Sequence, residues 1–164
     1  MIRLLWISVV ILVLDQASKV LALEVLAGPP VAVLPFFNLN LTFNTGAAFG
    51  FLNQATGWQN WFFIGIAGTV SVVIVFMIRS LPQRDLQTAV ALSMILGGAI
   101  GNLVDRVRLG YVIDFIQLYY QAWSWPVFNV ADSAITIGAV LLALDLFGIK
   151  IFKSRQQPGA TGQK

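Results

Sequence analysis

Apolar residues gather into four long runs along this chain, and polar positions inside them are few. The first run covers about residues 4–26 and is broken by Asp15, Gln16, Lys19 and Glu24. The second, about 58–78, carries no charge, the third covers about 86–104, and the fourth about 127–147. At ~1.5 Å of rise per residue, each is long enough to cross a hydrocarbon core of ~30 Å as a helix. Residues Asn38-Leu39-Asn40-Leu41-Thr42-Phe43-Asn44 instead alternate polar and apolar, the signal of a strand with one greasy face. The pattern predicts an all-α membrane protein of four transmembrane helices, with a small β-element lying at the membrane surface. One transmembrane domain covers 1–153, and a polar tail with Pro and Gly, expected to be disordered, fills 154–164.

Composition sharpens this picture. Of 164 residues, 58% are hydrophobic and 10% charged, with a mean hydropathy of +0.82. Soluble domains carry about 25% charged residues, and a chain this apolar cannot cover a water-facing surface. Cysteine and histidine are both missing, which removes thiol chemistry, Ser-His-Asp and Cys-His catalysis, and metal sites built on imidazole or thiolate. No metal and no cofactor is expected. The net charge of +3 does not point to nucleic acid, because the basic residues flank apolar runs, where anchoring at the cytoplasmic surface accounts for them. Met1-Ile2-Arg3 followed by Leu4–Leu14 has the look of a secretory leader. Asp15 and Lys19 interrupt it and no A-x-A site follows, so an uncleaved first helix is expected. Asn40-Leu41-Thr42 fits a glycosylation acceptor, a tripeptide too common by chance to carry weight.

Arg3 precedes the first run, Arg79 and Arg84 lie between the second and third, and Lys150, Lys153, Arg155 and Lys164 follow the fourth. Residues 20–78 contain no Lys or Arg, and only Arg106 and Arg108 separate the third and fourth runs. By the positive-inside rule both termini and the short middle loop are cytoplasmic, and the two longer connections face outward. Trp58, Trp61, Tyr111, Tyr119, Tyr120, Trp123 and Trp125 gather at those outer ends, most of them as an interfacial aromatic belt.

Charges within or beside the spans are the informative positions, since an Asp at a helix centre in a bilayer costs about 2.5–3.5 kcal/mol. Asp114 falls some ten residues past the third predicted span, in Tyr111-Val112-Ile113-Asp114-Phe115-Ile116. It reads either as a solvated loop carboxylate or as a site residue, and its apolar neighbours favour the second. Asp132 opens the fourth span, where a helix N-terminus tolerates a carboxylate. Asn129, Asp132, Ser133 and Thr136 recur at i, i+3, i+4 and i+7, which predicts one polar stripe facing the bundle interior. Two carboxylates held close share a proton, so one can serve as general base and the other as general acid. Asp15 and Lys19, four apart, read first as an internal ion pair and second as support for a site. Gly97 and Gly101 form a close-packing face, and Asn102 and Arg106, four apart, are placed to share a cavity. Arg106 there has the chemistry to hold a carboxylate or to donate to a substrate carbonyl. Asp145 and Glu24 read as interfacial charges.

Four blocks together carry a specific resemblance. They are Asp15–Lys19; Asn44-Thr45-Gly46-Ala47-Ala48-Phe49-Gly50; Gly97–Arg106 running on to Gly110-Tyr111-Val112-Ile113-Asp114-Phe115; and Phe128-Asn129-Val130-Ala131-Asp132-Ser133. In this order and topology the chain resembles the bacterial lipoprotein signal peptidases, or signal peptidase II, over nearly its whole length apart from the tail. The resemblance implies an aspartic endopeptidase of the inner membrane that cleaves diacylglyceryl-modified prolipoproteins just before the lipidated cysteine. It implies that Asp114 and Asp132 are the catalytic dyad, that Asn44, Gly46, Asn102, Arg106 and Asn129 belong to the site, and that Asp15 and Lys19 support it. It also implies a periplasmic cradle formed by the outer sheet, and prolipoprotein and the lipid bilayer as partners. Two other classes compete. A proton-coupled transporter or channel fits in-membrane Asp, Lys and Arg, but the polar residues cluster at the outer end and only Asp145 and Glu24 continue inward. A Ser-Lys peptidase would use Lys19 with Ser133, since Ser18 points elsewhere on its helix. The G-x-G-D pattern of presenilin-like enzymes is absent around Asp114.

Overall fold

The computed structural model describes residues 1–46 and 57–152. A 3-10 turn, Ile2–Leu4, leads into α1 (Leu5–Val25). Strands β1 (Val31–Leu34) and β2 (Phe37–Asn44) follow, then α2 (Trp58–Ser80), α3 (Leu86–Leu109), β3 (Val112–Tyr120), β4 (Trp123–Ser124) and α4 (Val130–Leu146). The predicted tail, 154–164, lies outside the described residues, as do 47–50 of the second motif.

Three stretches, Ile2–Val25, Trp58–Ser80 and Leu86–Leu109, are long and apolar enough to cross a bilayer. α4 is shorter, at 17 residues. The third helix runs on to Leu109, five residues beyond the predicted end, and so carries Asp105, Arg106 and Arg108 on helical backbone. It stops at Gly110, whose φ of 84° is left-handed and whose N–H returns to Arg106 O at 3.1 Å.

Helix α3 is the central element, with α1, α2 and α4 all packed on it. Its glycines make that approach possible. A Cβ on Gly97 would sit 2.8 Å from Ser8 O, and one on Gly101 would sit 2.6 Å from Asp15 Oδ2. The two glycines therefore form the face on which α1 lies. Gly98 faces the other way, against the Ala131 carbonyl of α4, and Gly138 of α4 returns the contact to Ala91 O. Large apolar side chains such as Trp6, Val13, Trp61 and Phe76 point outward, while Asp15, Lys19, Asn102, Asp105, Asp114 and Asn129 are buried. A polar interior inside an apolar surface is the arrangement that a hydrocarbon solvent favours.

The strands form one antiparallel sheet in the order β1-β2-β3-β4. The alternating stretch predicted as a strand is β2. β3 shows no alternation at its start because Val112, Ile113, Asp114 and Phe115 are all buried. Ala22 of α1 and Leu26 just after it pack with Phe115, and Leu39, Leu41, Ile116 and Val130 close around them, which seats the sheet on one end of the bundle.

Candidate active site

Asp114 stands on β3, not on a solvated loop, and is 1% exposed. Its cross-strand partner on β2 is Thr42, so Asn44, two residues further, lies diagonally on the same face. Asn44 Nδ2 accordingly donates to Asp114 Oδ2 at 3.0 Å. The Asn44 amide is turned that way because its own Oδ1 accepts the Gly46 N–H at 2.9 Å. Gly46 has a φ of 98°, and a Cβ there would run into the Phe63 ring. Its role is thus to orient Asn44.

Asp132 is the N3 residue of α4, and Asn129 is the N-cap. The two form a capping box: Asp132 N–H donates to Asn129 Oδ1 at 2.9 Å, and Asn129 N–H donates to Asp132 Oδ2 at 3.3 Å. The other oxygen, Asp132 Oδ1, accepts from Asn102 Nδ2 at 2.8 Å. Asn129, fully buried, spends its amide protons on Asp114 Oδ1 at 2.7 Å, Asn102 Oδ1 at 3.1 Å and Ile113 O at 3.2 Å. Each oxygen of both carboxylates therefore receives one neutral amide donor, and Asn129 touches both. Burial raises Asp114 to about 6; the Asn44 bond opposes that rise, the nearby Asp132 charge adds to it, and Asn129 and Lys19 oppose it.

Beneath the aspartates lies a buried charge cluster. Lys19 Nζ meets Asp15 Oδ2 at 2.8 Å, Asp105 Oδ2 at 2.8 Å and Asn102 Oδ1 at 3.0 Å. An ammonium has three donors, and all three are engaged. The ion pair also grips Asn102, the residue bonded to Asp132. Gln16 adds bonds to Asp105 Oδ1 at 2.9 Å, Asp15 Oδ2 at 3.2 Å and Gly101 O at 3.2 Å.

Of the residues singled out in the sequence, Asn44, Asn102, Asn129, Asp114, Asp132, Asp15 and Lys19 form one continuous network. Arg106 lies at its edge. Among the described residues it makes no ion pair; its Nη1 reaches Asn102 O at 3.5 Å, and its guanidinium lies 5.1 Å over the Phe63 ring. The predicted polar stripe of α4 is corrected at its far end. Asn129 is buried, Asp132 and Ser133 are half-buried, and Thr136 is exposed, because α4 begins inside the bundle and its stripe turns onto an open groove. That groove, of about 340 Å³, runs past Asp132, Ser133 and Thr136 between apolar walls that include Phe128 and Ile137. Asp145 bonds Thr88 at 2.7 Å and pairs with Lys150 at the opposite end of α4.

Sequence reasoning gave Asp105 and Gln16 no part in the site. A signal for Asp105 was present. It follows Gly97 and Gly101 at the same four-residue spacing, so it continues the face that packs on α1.

The sequence profile described as signal peptidase (SPase) II matches residues 7–148. The lipoprotein signal peptidase of Acinetobacter baumannii is 49% identical over 159 residues, covering 95% of this chain and 88% of that protein. That of Pseudomonas paraeruginosa is 50% identical over 149 residues, covering 89% and 88%. A solved bacterial membrane enzyme superposes with a TM-score of 0.79 at 30% identity, covering 94% of this chain and 96% of the other.

Proposed function

The chain belongs to the signal peptidase II family, a family of membrane peptidases, and on that premise we propose that Asp114 and Asp132 are the pair that cleaves the signal peptide of a lipidated prolipoprotein. The single observation that carries this reading is the matched setting of the two carboxylates. They come from different elements, each is held by two amide donors, and Asn129 joins them. The donors fix orientation without supplying a cation that would hold both groups ionised. One carboxylate is then free to take a proton from water while the other gives one to the scissile carbonyl. Attack by that water gives a tetrahedral diol, and its collapse returns the proton to the leaving amine. Arg106, next to the network and without an ion pair among the described residues, is assigned to a substrate carbonyl.

The enzyme is a multi-pass protein of the bacterial inner membrane. Its finer arrangement belongs to the same proposal: four spans, with α4 as the fourth, in one domain over 1–153, both termini cytoplasmic and the dyad toward the periplasm. α4 has 17 residues, the lower end of the range that spans a bilayer. The sheet, at the dyad's end of the helices, serves as a cradle on the membrane.

A site at that depth explains a lipidated substrate. Each buried CH₂ contributes about 0.8 kcal/mol, so two acyl chains hold the scissile bond beside the dyad and supply positioning. The test compares kcat/KM for one peptide with and without its diacylglyceryl group in the same micelles. Much slower cleavage of the unlipidated peptide is expected; equal values would contradict it. A transporter would give no cleavage product in either case.

A further inference from the structure

The two buried acids beneath the dyad share a feature. Asp15 Oδ1 accepts the backbone N–H of Ala131 at 2.9 Å, and Asp105 Oδ2 accepts the backbone N–H of Ile113 at 3.2 Å. Ala131 immediately precedes Asp132, and Ile113 immediately precedes Asp114. Each supporting carboxylate therefore holds the peptide next to one proposed catalytic residue. Lys19, bonded to both acids, makes them one unit.

The backbone needs these acceptors. Ala131 is the second residue of α4, and its N–H has no partner within the helix. Ile113 is buried, and its N–H is directed at Asp105 on α3. Beyond the bridge between Ile116 and Phe128, that side of β3 meets a helix in place of a strand. Left without Asp105, the Ile113 N–H would be a buried orphan. The Ile113 carbonyl is held from the other side by Asn129 Nδ2, so both ends of this residue are pinned just before Asp114.

We propose that Asp105 is a positioning residue for Asp114, acting through the Ile113 N–H, and that Lys19 couples it to Asp15, which positions Asp132 through the Ala131 N–H. The proposal rests on the dyad reading. Asp105 acts through the Ile113 backbone; it sets where the reacting carboxylate stands.

The test uses the full-length enzyme in micelles with a diacylglyceryl peptide. Because a misplacement of about 1 Å costs on the order of 10²-fold, Asp105→Ala is expected to lower kcat about 10–100-fold while KM changes less than about twofold. Asp105→Asn keeps an acceptor for the Ile113 N–H, so kcat is expected to recover to within about fivefold of wild type. Asp105→Glu keeps the charge and displaces the acceptor by one methylene; it is expected to be slower than Asp105→Asn. A folded Asp105→Ala enzyme with wild-type kcat overturns the proposal, as does a loss that appears wholly in KM. Should Asp105→Ala not insert, the other two decide: Asn faster than Glu supports positioning, and Glu equal to or faster than Asn overturns it. Asp114→Asn is the separate control, since activity there would sink the dyad whatever Asp105 does.

Discussion

Asn129 Nδ2 donates to Asp114 Oδ1 at 2.7 Å, while the same side chain accepts the Asp132 N–H through Oδ1 at 2.9 Å. One buried amide thus fixes the spacing of two carboxylates carried by a strand and a helix. Its two ends are not interchangeable, because a carboxylate needs a donor and a helix N–H needs an acceptor.

Asn129→Asp and Asn129→Ala separate these two duties. Asn129→Asp keeps the helix cap but faces Asp114 with another acid. Asn129→Ala loses the cap as well, which costs about 0.5–2 kcal/mol of stability. Both are expected to lose about 10²-fold in kcat through misplacement of the dyad, and both should melt lower, the Ala variant for its lost cap and the Asp variant for a second buried acid beside Asp114. Full turnover in either, measured on the lipidated peptide, would show that Asn129 does not set the dyad.

Proton linkage gives a second expectation. Asp114, raised to about 6 mainly by burial, lies above the unfolded value of about 3.9, so the fold favours its neutral form. Its stabilising contribution is complete below about pH 4 and is lost as pH rises through about 6. Activity follows the same sign: above about 6 Asp114 no longer holds the proton it would give to the scissile carbonyl, so kcat/KM should fall as pH rises, with an inflection near 6 that belongs to the pair. A profile flat between about pH 4.5 and 7.5 would contradict this.

Topology is open to a direct test. A reporter enzyme active only outside the cytoplasm, fused near Asn53, which lies outside the described residues, should be active. Fused after Arg79 or Lys153 it should be silent. The reverse pattern would end the arrangement with both termini inside.

The helices were legible because a bilayer demands long apolar runs, and the sequence contains little else between its charges. Strand β2 was legible because one of its faces is polar, as Asn38, Asn40, Thr42 and Asn44 show. Strand β3 was not, because helices and strands cover both sides of Val112–Phe115, and burial on both faces erases alternation. The resemblance pointed to Asp114 and Asp132 and to Asn44, Asn102 and Asn129, which donate to their carboxylates. The link from Asp105 to Ile113 was hidden, since its partner is a backbone N–H and any residue there has one. Gly46 was read as part of the site; its contact with Phe63 and its bond to Asn44 give it a physical reason that depends on tertiary placement.

The most direct measurement is cleavage of a diacylglyceryl peptide by Asp114→Asn, Asp132→Asn and the double variant, with Ser133→Ala beside them. Each aspartate variant should lose at least ~10²–10⁴-fold, the amount expected for a missing general acid or base. The double variant should be no worse than the poorer single one, because either change disables the same unit. Ser133, whose Oγ donates to Asn129 O at 2.9 Å, should be dispensable, since Lys19 has all three donors engaged and cannot act as its base. Cleavage at about half the wild-type rate in either Asn variant, with protein inserted normally, would contradict the dyad.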